Sequence, residues 1–118
     1  MNKNLIHFEN MDWERPKEGV EQKICADGNQ RLRLLKFRDS FVEEEWCLSG
    51  HIGFVLEGQM DISFNGVITS YKKGDGLWIN EGESSKHKVI IEKGKQIELI
   101  LFESMKHPKN RSKNLWYP

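Results

Sequence analysis

The sequence predicts an all-β domain, folded as a barrel or a sandwich of short strands. Three observations carry this. Runs of β-prone residues recur at about ten-residue spacing with turn residues between them. Asn65-Gly66 stands between two such runs, residues 60–64 and 67–71, and this pair is a strong hairpin signal because both central positions need positive φ. No stretch shows the periodicity of an amphipathic helix.

The elements follow in order. Residues 1–25 read as an N-terminal arm; the first twenty are polar, with Pro16 and Gly19, and leave room for one short strand. Trp13 needs apolar cover and is expected to dock on the body. From Val20 onward the pattern turns to β, and residues 26–103 read as the barrel. Residues 31–38 alternate charged and apolar until Leu34-Leu35, where the break in phase predicts a β-bulge. Residues 60–64 alternate cleanly into the Asn65-Gly66 turn, and residues 67–71 return. Residues 73–76 make a turn, 77–79 a short strand and 81–85 a loop. Residues 87–91 and 96–102, joined by Lys93-Gly94, form a second hairpin. Residues 104–118 are a basic, polar tail ending in Leu115, Trp116 and Tyr117, which are expected to pack on the barrel or on a partner subunit.

Composition narrows the class. At 118 residues the chain is one domain, long enough to bury a core without disulfides. Lys+Arg and Asp+Glu both number 18, so there is no electrostatic case for nucleic acid or an anionic membrane. No run approaches the roughly 18 apolar residues of a membrane span, and the first residues lack the apolar core of a signal peptide. Two cysteines, Cys25 and Cys47, have no CxxC spacing, and a cytoplasmic protein with reduced thiols is the expectation.

The chemistry-bearing residues lie between residues 45 and 87. His51-x6-Gly58 is followed, after fifteen residues, by Gly74-x5-Asn80-x-Gly82-x2-Ser85. Glu45 and Cys47 precede His51 as Glu-x-Cys-x3-His. In this spacing the chain resembles the cupin superfamily, whose two motifs read G-x5-HxH-x3/4-E-x6-G and G-x5-PxG-x2-H-x3-N. The resemblance covers about residues 30–103 and resides mainly in the glycines. It implies a small RmlC-like cupin, a jelly-roll barrel with its site inside.

The usual cupin ligands are three His and one Glu. The corresponding positions here are Glu45, Cys47, His51 and Ser85. Strand alternation keeps Glu45, Cys47 and His51 on one face if no bulge intervenes. His87 falls one inward position beyond Ser85, displaced by about 6.5 Å along an ideal strand. Cys47, His51 and His87 are the candidate metal ligands; thiolate with imidazole favours one divalent ion of zinc type over redox-active iron. Glu45 and Ser85 are candidate ligand-binding groups, and Phe54 and Trp78 candidate apolar walls of the cavity. Each has a plainer reading beside the functional one. Cys47 fits a buried small apolar group, and His51 and His87 fit hydrogen-bonded pocket residues. Glu45 fits a solvated charge run, and Phe54 and Trp78 fit outward packing or a subunit interface.

Three functions follow as expectations. The first is a barrel that binds a small molecule at a remodelled, metal-binding site. The second is a metal-dependent cupin enzyme of the dioxygenase, isomerase or lyase type. The third is a dimeric scaffold with a vestigial cavity. A homodimer is the expected assembly, with a small-molecule ligand and no nucleic-acid or membrane partner; the fold alone does not choose among the functions.

Overall fold

The computed structural model of the chain describes residues 4–104. Eight strands follow a short 3-10 turn at Phe8–Asn10. They are β1 (Glu14–Lys17), β2 (Val20–Asp27), β3 (Gln30–Arg38), β4 (His51–Phe64), β5 (Val67–Lys72), β6 (Gly76–Ile79), β7 (His87–Ile90) and β8 (Gln96–Ser104). All pairings are antiparallel, in the order β1-β2-β3-β8-β4-β5, with β6 and β7 also on β4. Among the described residues no helix is long and apolar enough to cross a membrane. The tail with Leu115, Trp116 and Tyr117 lies outside the described residues.

The 14-residue β4 organises the barrel. Its first half pairs with β6 and β8, and its second half with β5 and β7. The strand thus passes from one sheet to the other. The change happens where the β4–β8 register shifts between Val55 and Glu57, next to Gly58 at φ +81°. A Cβ at Gly58 would sit 2.0 Å from the Gln96 carbonyl oxygen, so β4 and β8 meet there at backbone distance.

The inner face is apolar over most of its area. Val55, Leu35, Leu99, Ile97 and Ile62 are essentially sealed from solvent, and burial of each such side chain contributes roughly 1.5–3 kcal/mol. Phe37 and Phe41 stack with centroids 4.7 Å apart. Asn65 (φ +52°) and Gly66 (φ +96°) form the hairpin between β4 and β5.

One expectation is corrected. No bulge occurs at Leu34-Leu35: β3 keeps register with β2 and β8 through every residue from Gln30 to Phe37. The strand keeps its phase by burying Arg31 and Arg33 on the same face as Leu35 and Phe37. Charge on that face, which reads as solvent-facing in a sequence, is absorbed by ion pairing. Within the expected N-terminal arm, residues 14–25 join the sheet. β1 and β2 pair in the sheet, and Val20 and Gln22 are buried. Trp13 is half-buried, with the Lys23 and Lys36 ammonium groups 4.8 and 4.3 Å from its ring centre.

Gly53 and Gly66 separate two kinds of glycine requirement. A Cβ at Gly53 would meet the Ile100 carbonyl oxygen at 2.2 Å, across the β4–β8 pair, whereas one at Gly66 would meet nothing within 4 Å. Gly53→Ala is expected to cost roughly 2–3 kcal/mol through forced separation of the strands. Gly66→Ala should cost about 1 kcal/mol through its positive φ alone. Urea unfolding of both variants checks the order, and a larger loss at Gly66 would contradict this packing.

Candidate metal centre

Antiparallel register builds the site on the inner face. Phe102 of β8 faces Leu32 of β3 on one side and Ile52 of β4 on the other. One step along, Arg31, Glu103 and His51 form the adjacent inward row, with Arg31 directly opposite Glu103. Glu103 is 3% exposed and its carboxylate accepts four bonds. Arg31 Nε (2.6 Å) and Arg33 Nε (2.8 Å) donate to Oε1; Arg33 Nη2 (2.8 Å) and His51 Nδ1 (2.6 Å) donate to Oε2. A carboxylate has about four lone-pair sites, and all are used. Arg33, fully buried, also donates to Gln22 Oε1 at 3.3 Å.

Burial by itself would raise the Glu103 pKa. The Arg33 guanidinium and His51 outweigh it and hold the carboxyl well below the usual range. An ionised carboxylate only accepts, so His51 Nδ1 carries the hydrogen and Nε2 is left for another partner. That partner is Cys47 Sγ, 3.8 Å away.

The third group arrives from β7. Cys47 forms an isolated antiparallel bridge with His87, with backbone N–H···O=C distances of 2.8 and 3.0 Å. The His87 ring stands edge-on to His51, with centroids 5.3 Å apart. Its Nδ1 donates to the Ser85 carbonyl oxygen at 3.1 Å, again an acceptor-only partner, which leaves Nε2. One donor atom from each of Cys47, His51 and His87 lies within 4.8 Å of the other two, and all three residues are buried.

These residues fit a tetrahedral cation. Bond lengths of about 2.3 Å to sulfur and 2.0–2.1 Å to nitrogen give a sulfur–nitrogen edge of about 3.6 Å, close to the 3.8 Å between Cys47 and His51. Each histidine has its Nδ1 held by an oxygen, one carboxylate and one carbonyl. This is the second set of contacts that fixes ring orientation in zinc sites.

The other expected site residues lie elsewhere. His87 does not suffer the displacement of an ideal strand, because the 3-10 turn Glu83–Ser85 takes up the intervening residues and lets β7 begin opposite Cys47. Ser85 is in that turn and serves through its backbone carbonyl rather than its hydroxyl. Glu45 is exposed: the chain bends there, breaking the alternation that would have set it beside Cys47. Phe54 and Trp78 are 47% and 74% exposed on the outer face of the sheet, so neither walls the cavity. Their neighbours in the strand register put them there: Trp78 is opposite Ile52, and Phe54, two pairs on and so on the same face, is opposite Gly76.

Four residues outside the expected set matter more. Arg31, Arg33 and Glu103 were legible only as a period-two pattern shared with Leu35, Phe37, Leu99 and Leu101. Glu43, not Glu45, is the buried acid of its run. Its Oε1 accepts from Val89 N–H at 2.7 Å, and its Oε2 has no partner.

The cavity beside the two histidines is small, about 20 Å³, and lined by Phe37, Met60, Ile62, Leu77, Ile79, Val89, Leu99 and Leu101. A larger hollow of about 360 Å³ lies away from the site, where Lys36 already pairs with Glu98 and Arg38 with Gln96. The sequence Cys47–His51–Glu103 also has the order of a nucleophile, base and orienting carboxylate. Burial pushes the Cys47 thiol up to about 11, despite hydrogen bonds with Ser49, which is opposite to what a thiolate nucleophile needs.

Two buried groups give the metal-free protein a definite pH response. Burial raises Glu43 to about 7, against the Val89 N–H, Lys17 and Lys88. Between an unfolded value of about 4.3 and the folded one, only the folded chain holds this proton. Its contribution is therefore full below about pH 4.3 and lost as pH rises through about 7. Burial lowers His87 to about 4, so its contribution is full above about pH 6.5 and lost as pH falls towards 4. The two slopes oppose each other in mildly acid solution. Glu43→Gln removes the first. The unfolding free energy of wild type minus variant is expected to fall by on the order of 3 kcal/mol between about pH 4.5 and 8. Urea titrations across that range test it, and a difference independent of pH would rule out a buried, protonated Glu43.

No protein-family model matches the chain, and no curated protein matches it. Solved structures do. An RmlC-like cupin from Shewanella frigidimarina NCIMB 400 superposes with a TM-score of 0.73 at 14% identity, covering 92% of this chain and 96% of that one. The polyketide cyclase RemF from Streptomyces resistomycificus gives 0.72 at 16% identity, covering 88% and 80%. A cupin 2 conserved barrel domain protein from Salinispora arenicola CNS-205 gives 0.62 at 12% identity, covering 94% of each chain. With the long shared strand, the antiparallel barrel and the inward-facing histidines, these likenesses establish that the chain has the RmlC-like cupin fold.

Proposed function

We propose that the protein is a metal-binding cupin barrel that holds one divalent cation of zinc type between Cys47, His51 and His87. The observation that carries this reading is the disposition of the two imidazoles. Each Nδ1 is committed to an oxygen, and His51 Nε2 is turned to the Cys47 sulfur. Pocket histidines that serve only as hydrogen-bonding groups have no need of this common orientation.

The donor set argues for zinc. One thiolate and two imidazoles are borderline-soft ligands, suited to zinc over calcium or magnesium. A cation bound there would supply Lewis acidity to a group beside it. Cys47 must give up its proton to bind, so loading releases a proton and strengthens with pH. His87 is already neutral near pH 7. Glu103 holds His51 in the ligating tautomer, and the arginines hold Glu103 ionised.

Purified without an affinity tag and dialysed against zinc, the protein is expected to retain about one ion per chain by elemental analysis, with Cys47 shielded from alkylation. Cys47→Ser and His87→Gln should each lose the ion. At zinc a thousandfold above its dissociation constant, wild type should gain about 4 kcal/mol of stability that the variants do not. Failure to retain zinc, with Cys47 alkylated at the same rate in its presence and absence, would refute the reading.

A further inference from the structure

We propose that the outer face of the sheet formed by β3, β8, β4 and β6 is the surface on which a second copy of this chain docks, with Trp78 of each copy seated on Leu32 and Leu34 of the other. The inference is independent of the metal-binding reading. Antiparallel register lays two apolar rows across this face. Leu32, Phe102, Ile52 and Trp78 stand opposite one another in the first. Leu34, Ile100 and Phe54 form the second, which ends at Gly76. Neither row holds a charged residue. Ile52 and Phe102 are each 40% exposed, and Phe54 and Trp78 still more so, whereas Leu32 and Leu34 are half-buried. Among the described residues, the chain's own cover lies at the neighbouring corner. There Trp13 sits against Lys23 and Lys36, and Lys23 Nζ donates to the Phe8 carbonyl oxygen at 2.6 Å.

The size of the patch suits a second copy. The exposed parts of Trp78, Phe54, Ile52 and Phe102 amount to roughly 400 Å² of apolar surface, taking about 150–250 Å² for each whole aromatic side chain. A contiguous patch of that size marks an interaction site. A stable interface buries about 800 Å² per partner, roughly 56–65% of it apolar, so this patch supplies most of the apolar centre and its polar surroundings the rest. The shape is self-complementary. At about 4.8 Å per strand, Trp78 and Leu32 lie roughly 14 Å apart, with the midline of the patch between Ile52 and Phe102. A twofold axis in the plane of contact, parallel to the strands and along that midline, exchanges β6 with β3 and β4 with β8. It sets the protruding Trp78 of one copy on the recessed Leu32 and Leu34 of the other, twice over, and closes the contact at two copies. Charge does not select an acidic or basic partner. Lys36 and Glu98, at the border, pair with each other at 3.7 Å, and a formal net charge of zero gives two copies no long-range repulsion. His51 and Glu103, next in the chain to Ile52 and Phe102, are buried on the opposite face, so docking leaves the metal donors untouched.

Sedimentation of the full chain tests this. Wild type is expected to be a dimer at micromolar concentration. Trp78→Glu buries a charge at both contacts and should weaken the dimer at least roughly a hundredfold, leaving a monomer at the same concentration. Because Trp78 is so exposed, the variant should keep the circular dichroism and unfolding midpoint of the wild-type monomer. Val67→Glu, at a comparably exposed position on β5 outside the patch, should remain a dimer. Leu32→Lys is expected to be monomeric by itself. Mixing it with Trp78→Glu should restore a dimer, because one contact becomes an ion pair and the other keeps the wild-type residues. Wild type that stays monomeric at its highest soluble concentration overturns the proposal and gives the face to another occupant, residues 105–118 of the chain or an unlike protein. A folded Trp78→Glu that is still a dimer overturns it as well, as does a Val67→Glu that dissociates equally. Two folded monomeric variants that do not pair on mixing overturn the twofold arrangement. Zinc retention should be the same in Trp78→Glu as in wild type, so a failure of this inference and a failure of the metal-binding reading are told apart.

Discussion

The buried carboxylate of Glu103 is the point on which the inner face depends. Moving an ion of this size out of water carries a penalty of several kcal/mol, recovered only when its lone pairs are filled by well-placed donors. Here they are filled by two arginines and a histidine, from β3 and β4, the two strands that flank β8. The network therefore fixes the relation of three strands as well as one tautomer. Removing Glu103 would leave Arg31 and Arg33 buried without a counter-charge, and removing either arginine would loosen the bond that orients His51. Such pairs are an uneconomical way to gain stability compared with a well-packed apolar core. Their presence at this position, one bond behind a candidate ligand, is better explained by what they do to His51.

The backbone makes this possible. β4 carries His51 at its first residue and crosses into the second sheet, where its last residues pair with β7. One strand thereby places His51 and, through its partner, His87 in the same interior. Cys47 lies just ahead of β4 and closes the set by bridging to His87 rather than by continuing the strand. The three donors come from two strands and a loop, yet each is anchored by a backbone hydrogen bond or a buried ion pair.

How much of this can be read in the sequence depends on which physical rule governs each residue. The hairpin at Asn65-Gly66 is legible because local backbone sterics decide it. The barrel is legible through glycines such as Gly58, whose place between two backbones no other residue could fill. Arg31 and Arg33 are misleading because charged residues are normally exposed, so their alternation suggests a bulge that does not exist. Their burial is decided by Glu103, some seventy residues away, a partner that only the strand register reveals. Glu45 fails for a different reason: a bend in an irregular loop shifts the inward position to Glu43, and strand alternation does not apply there. His87 is a candidate in the sequence, but its reach depends on a short 3-10 turn that spacing rules for an ideal strand do not include.

The departure from the familiar cupin ligand set is smaller in charge than in residue type. Three histidines and one glutamate present a cation with one negative charge. Cys47 as thiolate with His51 and His87 presents the same. A carboxylate does stand close by, behind a histidine: Glu103 bonds His51 and is neutralised by its arginines. What changes is hardness. Sulfur in place of a carboxylate oxygen and a histidine nitrogen disfavours the hard and redox-active ions and favours zinc. The same substitutions that obscure the motif therefore account for the metal the site would select.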